Sequence, residues 1–480
     1  MGSFGSPGSA LPRCQQRMED DLIVRQAPNG LHSVAVWRKK LVKLVWALAI
    51  MVSAMPAFAQ YAGPAILSRG DAPAAMATSQ VDFRPFVDIA GVYTTGLSGL
   101  VASSQGTTLG NASSAGLLLN FGLSGIHSWK HTKVGLDYVG SITHYDKTTY
   151  GGYDNQSFLL SVTHQFSPHA LFSLGENASI VSQPLASPGL PQTVTFDPAL
   201  TYNPTTDFYD NRTLFLNTQA GLIFQKSARL SFSLGGHGSL TDRQGPGLYS
   251  VTGAGANGDM QYRWTRRSTV GASYNYMHFE YHGTFNATDV HTASGTYALQ
   301  LTRSLEFTGY GGFSQAETKF LRTVPLSPVL AGLIGLQNGV VINYTATYHP
   351  TYGVRLSQSF EHGVAFLSSS YMVTPGNGLF LTSTALSAAT GYNYTGVRRW
   401  SFGVTSSYTR AYSVANVVGS YQDITGRVSA SRALDRFLHL TFSMSAIQYR
   451  SSNFAGYNRL TYTANLGLAF SPGNLPLRVW

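Results

Sequence analysis

Between Asn211 and Leu240 the chain alternates apolar and polar positions over two long arms. In the first arm Leu214, Leu216, Ala220, Leu222 and Phe224 fall on one parity, and Thr213, Asn217, Gln219 and Gly221 on the other. After a basic turn (Gln225–Arg229), Leu230, Phe232, Leu234 and Leu240 again share one parity, with Ser231, Ser233, Gly235, His237 and Ser239 on the other. Side chains of a strand point alternately to its two faces, so each arm has one oily and one polar surface. The arms run about a dozen residues, where soluble strands run about five or six. The polar parity is small and uncharged, which suits a water-filled interior. A strand crossing a membrane needs ~9–11 residues at a tilt of ~45°.

The same hairpin recurs down the chain. Counting by alternation from Val81 predicts eighteen strands, from 82–95 through 211–224, 228–241, 339–358 and 362–374 to 457–470, with sixteen as the alternative count. The connections sort into two sets. Short turns such as His127–Lys130, Gln225–Arg229, Thr265–Ser268 and Glu361–Gly363 alternate with longer stretches: 96–114, 146–154, 182–210, 242–256, 282–289, 317–338, 375–383, 412–420 and 450–456. Short turns on one side and long loops on the other describe an all-β, transmembrane, antiparallel up-and-down barrel, with the short turns in the periplasm.

Composition sharpens this. Of 480 residues only 11% are charged and 43% are hydrophobic, with 50 glycines, 27 tyrosines and 26 phenylalanines. A soluble surface needs roughly a quarter of its residues charged. Outside the N-terminus no run approaches a membrane helix, and spanning lipid without helices leaves only a closed barrel, because every backbone group must be paired internally.

The N-terminus supplies an address. Trp37–Lys43 is a basic segment, Leu44–Met55 an apolar one, and Ala57-Phe-Ala59 a small-residue exit before Gln60, the order of a Sec-type signal peptide. Residues 1–36 ahead of it are read as an unstructured extension or start-site artefact, 60–81 as a periplasmic linker and 82–480 as the barrel with its extracellular loops. Removal of 1–59 would leave 25 basic and 19 acidic side chains, an excess of six that points to a weak anion preference or to contact with anionic lipid. No basic cluster sits among stacking aromatics, so no nucleic-acid partner is expected. The single cysteine, Cys14, lies upstream of the signal, which leaves no disulfide or thiolate chemistry for the barrel.

The last alternating stretch places Leu460, Tyr462, Ala464, Leu466, Leu468 and Phe470 on one face and Arg459, Thr461, Thr463, Asn465 and Gly467 on the other. Asn465-x-Gly467-x-x-Phe470 is similar to the C-terminal signal by which outer-membrane barrels present themselves for assembly, although ten residues follow it, ending at Trp480. Signal, linker, alternating strands and aromatic C-terminus together resemble the porin-like outer-membrane β-barrels of Gram-negative bacteria. That resemblance covers essentially all of 60–480 and implies a bacterial outer-membrane location and a polar channel. It implies outer-membrane lipid, lipopolysaccharide and the barrel assembly machinery as partners, with homo-oligomers in scope.

Candidate chemistry is sparse. His237 and Ser239 share a strand face as in outer-membrane phospholipases, but that face is the polar one. His144 with Asp146, and Asp207 with Asp210, fall at strand ends, where barrel proteases place such residues. His164 and His169 lack a third metal ligand. The long loop 182–210 carries five prolines and several aromatics. Leu321–Asn338 is unusually apolar, a candidate to fold into the lumen as a constriction, cap the barrel or contact a partner, with a longer strand rim as the competing reading. Arg212, Asn217, Gln219, Ser231, Ser233, His237, Arg459, Thr461 and Asn465 are the expected pore-lining residues. Tyr249, Tyr262, Tyr310, Tyr352 and Tyr421 are expected in interfacial girdles. The function expected is passive diffusion of small solutes, with no catalysis and no cofactor. An export barrel for exopolysaccharide is the first alternative, and a surface enzyme of phospholipase or protease type the second.

Overall fold

The computed structural model describes residues 84–97, 112–146, 152–182, 212–244, 248–327, 335, 337–378, 381–414, 420–451 and 459–472, all within the unit Ala57–Trp480. The extension 1–36, the signal segment 37–59, the linker 60–81, almost all of 182–210 and the tail from 473 lie outside the described residues.

Eighteen strands follow one another. They are β1 (Arg84–Leu97), β2 (Ala112–Ser128), β3 (Thr132–Tyr145), β4 (Gly152–Ser167), β5 (Ala170–Val181) and β6 (Thr213–Gln225). Next come β7 (Leu230–Arg243), β8 (Val251–Arg263), β9 (Ser268–Tyr281), β10 (Ala287–Gln300), β11 (Leu305–Pro325) and β12 (Asn338–Phe360). The last six are β13 (Gly363–Thr374), β14 (Ser383–Tyr394), β15 (Trp400–Ser413), β16 (Ser420–Ala433), β17 (Leu438–Ser451) and β18 (Arg459–Phe470). Each pairs antiparallel with its chain neighbours, and β1 pairs with β18 from Val87↔Phe470 to Thr95↔Tyr462, so the sheet closes on itself. The fold is the all-β barrel anticipated, and the count is eighteen rather than sixteen. Closure matters energetically: an open edge would expose a row of unpaired N–H and C=O groups, which hydrocarbon cannot satisfy.

The two parities separate as the sequence requires. Ile89 (59% exposed), Leu117 (64%), Leu234 (63%) and Phe313 (71%) lie on the outer face. Placing a Leu or Phe of this kind in hydrocarbon rather than water contributes about 1.5–3 kcal/mol. The inner face is defined by side chains that meet across the curve of the wall. Asp88 on β1 accepts from Asn120 on β2 (2.9 Å) and from Thr441 on β17 (3.1 Å), reaching past β18. Thr94 on β1 meets Tyr145 on β3 (3.1 Å), reaching past β2, and Thr463 on β18 (3.2 Å).

One hairpin outgrows the wall. β11 and β12 pair without a break from Leu305↔Gln358 to Pro325↔Asn338, whereas β13 takes up β12 only from Tyr352 to Phe360. The apolar stretch that begins at Leu321 therefore prolongs the sheet through Pro325, so the longer strand rim is what forms there. The alternation continues beyond the reach of β13 through Leu321–Pro325 and Asn338–Ile342, while 328–334 and 336 lie outside the described residues.

Candidate functional site: the lumen and the connection that narrows it

The inward turn comes from a shorter connection, 375–382 between β13 and β14. Its backbone is fitted for a tight path: Gly376 and Gly378 take φ of 73° and 89°, the left-handed region that side chains with a Cβ avoid. A Cβ at Gly378 would also come within 2.6 Å of the Arg243 side chain. The connection does not rise above its own strands. Its described residues, 375–378 and 381–382, reach the inner face of β7, β9 and β10, with β11 and β12 between on the wall, and so lie across the barrel interior.

The anchors are specific. Arg243, at the end of β7, donates to the carbonyl oxygens of Tyr249 (3.0 Å) and Gly376 (3.5 Å). The Tyr249 N–H donates in turn to the Gly378 carbonyl (3.1 Å). The Tyr281 hydroxyl meets the Thr382 hydroxyl (2.8 Å) and donates to the Pro375 carbonyl (3.3 Å). Thr288 closes the set with a 2.6 Å contact to Thr382. Beneath these bonds Val373 and Leu381 pack against Val251, Met277, Phe279, Tyr281, Val290 and Ala316, which form the largest apolar cluster among the described residues. Polar latches over an apolar cushion hold the connection in one place: the cushion gives contact area, and the bonds satisfy loop carbonyls that would otherwise be buried without donors.

Burial along the inner face follows from this. Toward the long-loop end the inward side chains are covered on many strands: Thr94, Tyr145, Thr213, Thr241, Val251, Tyr281, Thr288 and Ala316 are all buried. Toward the short-turn end the same face opens on part of the wall, with Gln219, Gln261, Arg263, Val364 and Thr405 exposed. On β1–β3 and β15–β18 it stays covered there, with Phe86, Asp88, Asp137, Ser431, His439 and Ala469 buried. The inner wall is therefore filled toward the long-loop end and open toward the short-turn end only along β6, β8, β13 and part of β15.

The expected pore-lining residues distribute over both parts. Asn217, Gln219, Ser231, Ser233 and His237 all face inward, since Asn217 pairs with Ser239, Gln219 with His237, Ile223 with Ser233 and Gln225 with Ser231 on the inner parity. Gln219 lies in the open part, whereas Asn217 and His237 are buried. The His237 ring occupies space left by Gly255 on the next strand, where a Cβ would overlap it. Thr461 is inward and buried, and Asn465 is inward and donates to Ser443 (3.3 Å). Arg459 occupies an inner-parity position opposite Tyr449, while its side chain lies outside the described residues. Arg212 is placed differently from expectation. It precedes β6 on the outer parity and is bonded there to Asp154 (3.1 Å) rather than lining the pore.

The remaining candidates divide by parity. Among the described arginines, Arg243, Arg263, Arg355 and Arg427 are inward at different depths, and Arg410 is outward, over the Tyr412 ring at 4.6 Å, so these do not form a single basic ring. Tyr262 and Tyr352 are outward and exposed, as a girdle requires, but Tyr310 and Tyr421 are inward. His237 and Ser239 both face the lumen. Asp146 is bonded to Ser114, and His164 to Thr132 (2.8 Å), while Asp207 and Asp210 lie outside the described residues. An outward cluster escaped the sequence reading: Tyr276 donates to Asp289 (2.6 Å), which also meets His278 (2.9 Å), and Tyr274 meets His291 (2.8 Å). Its residues recur at every second position on β9 and β10, a signal visible only once those strands are paired in register. No group of His, Cys, Asp and Glu among the described residues is arranged to hold a metal ion.

No protein-family model and no curated protein matches the chain. Solved structures similar to it include a copper transporter, OprC (10% identity, TM-score 0.41), with 86% of this chain and 70% of that one covered. Another is OccK5 (OpdH) of Pseudomonas aeruginosa (12% identity, TM-score 0.38), with 81% and 98% covered. A third is the apo form of the FrpB iron transporter of Neisseria meningitidis (11% identity, TM-score 0.38), with 78% of this chain covered; the chain spans 62% of that protein's length. On its own strand count, closure and outward apolar band, the molecule is a closed eighteen-strand up-and-down β-barrel with an apolar outer face.

Proposed function

We propose that the chain is an outer-membrane channel through which small polar solutes diffuse passively, with the 375–382 connection setting the size limit. The observation that carries this reading is that connection, latched across the interior by Arg243, Tyr281 and Thr288, with an open polar stretch of inner wall at Gln219, Gln261 and Arg263. Small hydroxyl and amide side chains on the open wall offer hydrogen bonds to passing solutes without a fixed site. Ion preference is weak and anionic, because the inner parity carries a small basic excess: Arg84, Lys133, Arg243, Arg263, Arg355, Arg427 and Arg459 against Asp88, Asp137, Asp259, Asp423 and Glu306. A surface enzyme of phospholipase type has less support, since His237 and Ser239 face the lumen instead of lipid.

The test is single-channel recording of the full chain, purified from outer membranes, in a planar bilayer with asymmetric salt. Small steady conductance steps with a slightly anion-directed reversal potential are expected. Silence both from the native chain and from a variant with residues 377–381 replaced by Gly-Ser, each correctly folded, would sink the channel reading and shift weight to an export barrel.

A further inference from the structure

One carboxylate sits where a membrane barrel should have none. Glu176 lies on the outer parity of β5, directly opposite Thr218 on β6, whose hydroxyl donates to it at 2.5 Å. Along β5 it is flanked on that face by Leu174 and Ala178, and Thr218 is flanked along β6 by Leu216 and Ala220. Both residues are near the middle of their strands, so on the membrane reading above, on which this inference rests, they lie at mid-depth in hydrocarbon. Ionisable side chains there are costly and mark contacts or pathways. The opposite wall has no such feature: the outer faces of β17 and β18 carry Phe442, Met444, Leu466 and Leu468.

We propose that the outer face of β5–β8 is covered in the membrane by a second copy of this chain, with Glu176 and Thr218 at the centre of the contact. The chemistry is self-complementary. A two-fold axis along the membrane normal, passing between β5 and β6, brings each carboxyl to the other copy's hydroxyl, so that acceptor meets donor twice and no other residue type is needed. Depth favours an identical partner: a copy inserted by the same barrel carries its own Glu176 and Thr218 at the same level, a match that lipid tails cannot offer. The next strands make close approach feasible, because the outer positions there include Gly236, Gly238, Ala254 and Ala256, leaving little side chain between two walls.

The experiment uses the full chain purified in mild detergent, with mass measured by sedimentation and folding checked by heat-dependent gel migration. The native chain is expected to form a two-copy species. Glu176→Leu should weaken it by about tenfold in dissociation constant, the scale of an interchain hydrogen bond in a membrane. Glu176→Gln, which keeps an acceptor and adds a donor, should retain it. In a Cys14→Ser background, Ala178→Cys should form a disulfide between copies on oxidation, and Leu468→Cys should not. A folded, conducting native chain that stays single, with or without bound lipopolysaccharide, overturns the inference while leaving the channel reading intact. So does a Glu176→Leu chain that pairs as well as the native one. A chain showing neither heat-dependent migration nor insertion would instead remove the membrane reading beneath it.

Discussion

Two excursions leave the long-loop end of the barrel, and they behave in opposite ways. The β11–β12 hairpin is long and apolar, with Val340, Ile342 and Tyr344 exposed, yet it continues outward as sheet. The 375–382 connection is short, and it folds into the lumen. Apolarity does not decide the direction. Unbroken alternation lets each added residue pair find its ladder bonds, so the hairpin extends for as long as the pattern lasts. The connection breaks alternation with Pro375-Gly-Asn-Gly378, and the turned chain then finds donors in Arg243 and Tyr281. Inward folding needs both a break in the strand pattern and partners waiting on the inner wall.

The sharpest way to break this contrast is to remove the connection. Replacing residues 377–381 with Gly-Ser should uncover the constriction and raise single-channel conductance severalfold, with the barrel still resistant to detergent. Unchanged conductance would mean that the constriction lies elsewhere. Next in size is Arg243→Ala. It strips donors from the Tyr249 and Gly376 carbonyls, at about 1–3 kcal/mol for each group left buried and unpaired. Conductance should become noisy and larger, and the thermal midpoint of unfolding should fall. Gly378→Ala tests the turn itself: forcing a Cβ onto φ of 89° should cost about 1–2 kcal/mol and loosen the connection less than Arg243→Ala does. The smallest effect belongs to the hairpin. Cutting 321–342 and joining Phe320 to Asn343 with an Asn-Gly turn should leave conductance unchanged, since Leu321–Pro325 take their ladder partners from Asn338–Ile342. A marked change would place the hairpin in the permeation path.

Much of this was legible in the chain. The parity of Leu214 through Leu240 separates lipid side from lumen side residue by residue, and the structure keeps that separation through all thirteen pairs of β6 with β7. Arg212 was misassigned because it lies one residue before the strand: the residue was read as polar, hence inward, although its parity is that of Leu214. Two of the tyrosines were misread by type as well. Tyr310 and Tyr421 read as girdle by type but are inward by register. The Gly376 and Gly378 pair was a visible turn signal in a connection too short to attract notice, whereas loop length drew attention to 317–338.

By itself the sequence determined an antiparallel barrel, its two faces and the sorting of short and long connections to opposite ends, with eighteen strands set against sixteen until the pairing of β1 with β18 fixed the count. These depend on period-two alternation and on the demand that every backbone group be paired, both of which are local in the chain. Only the tertiary structure decided that 375–382 crosses the lumen, and that Tyr276, His278, Asp289 and His291 meet on the outer wall. It also brought Glu176 opposite Thr218, 42 residues away, in the middle of an apolar band. Those arrangements depend on which residue faces which across paired strands and on where the curved wall places a distant donor. No periodicity along a single strand contains that information.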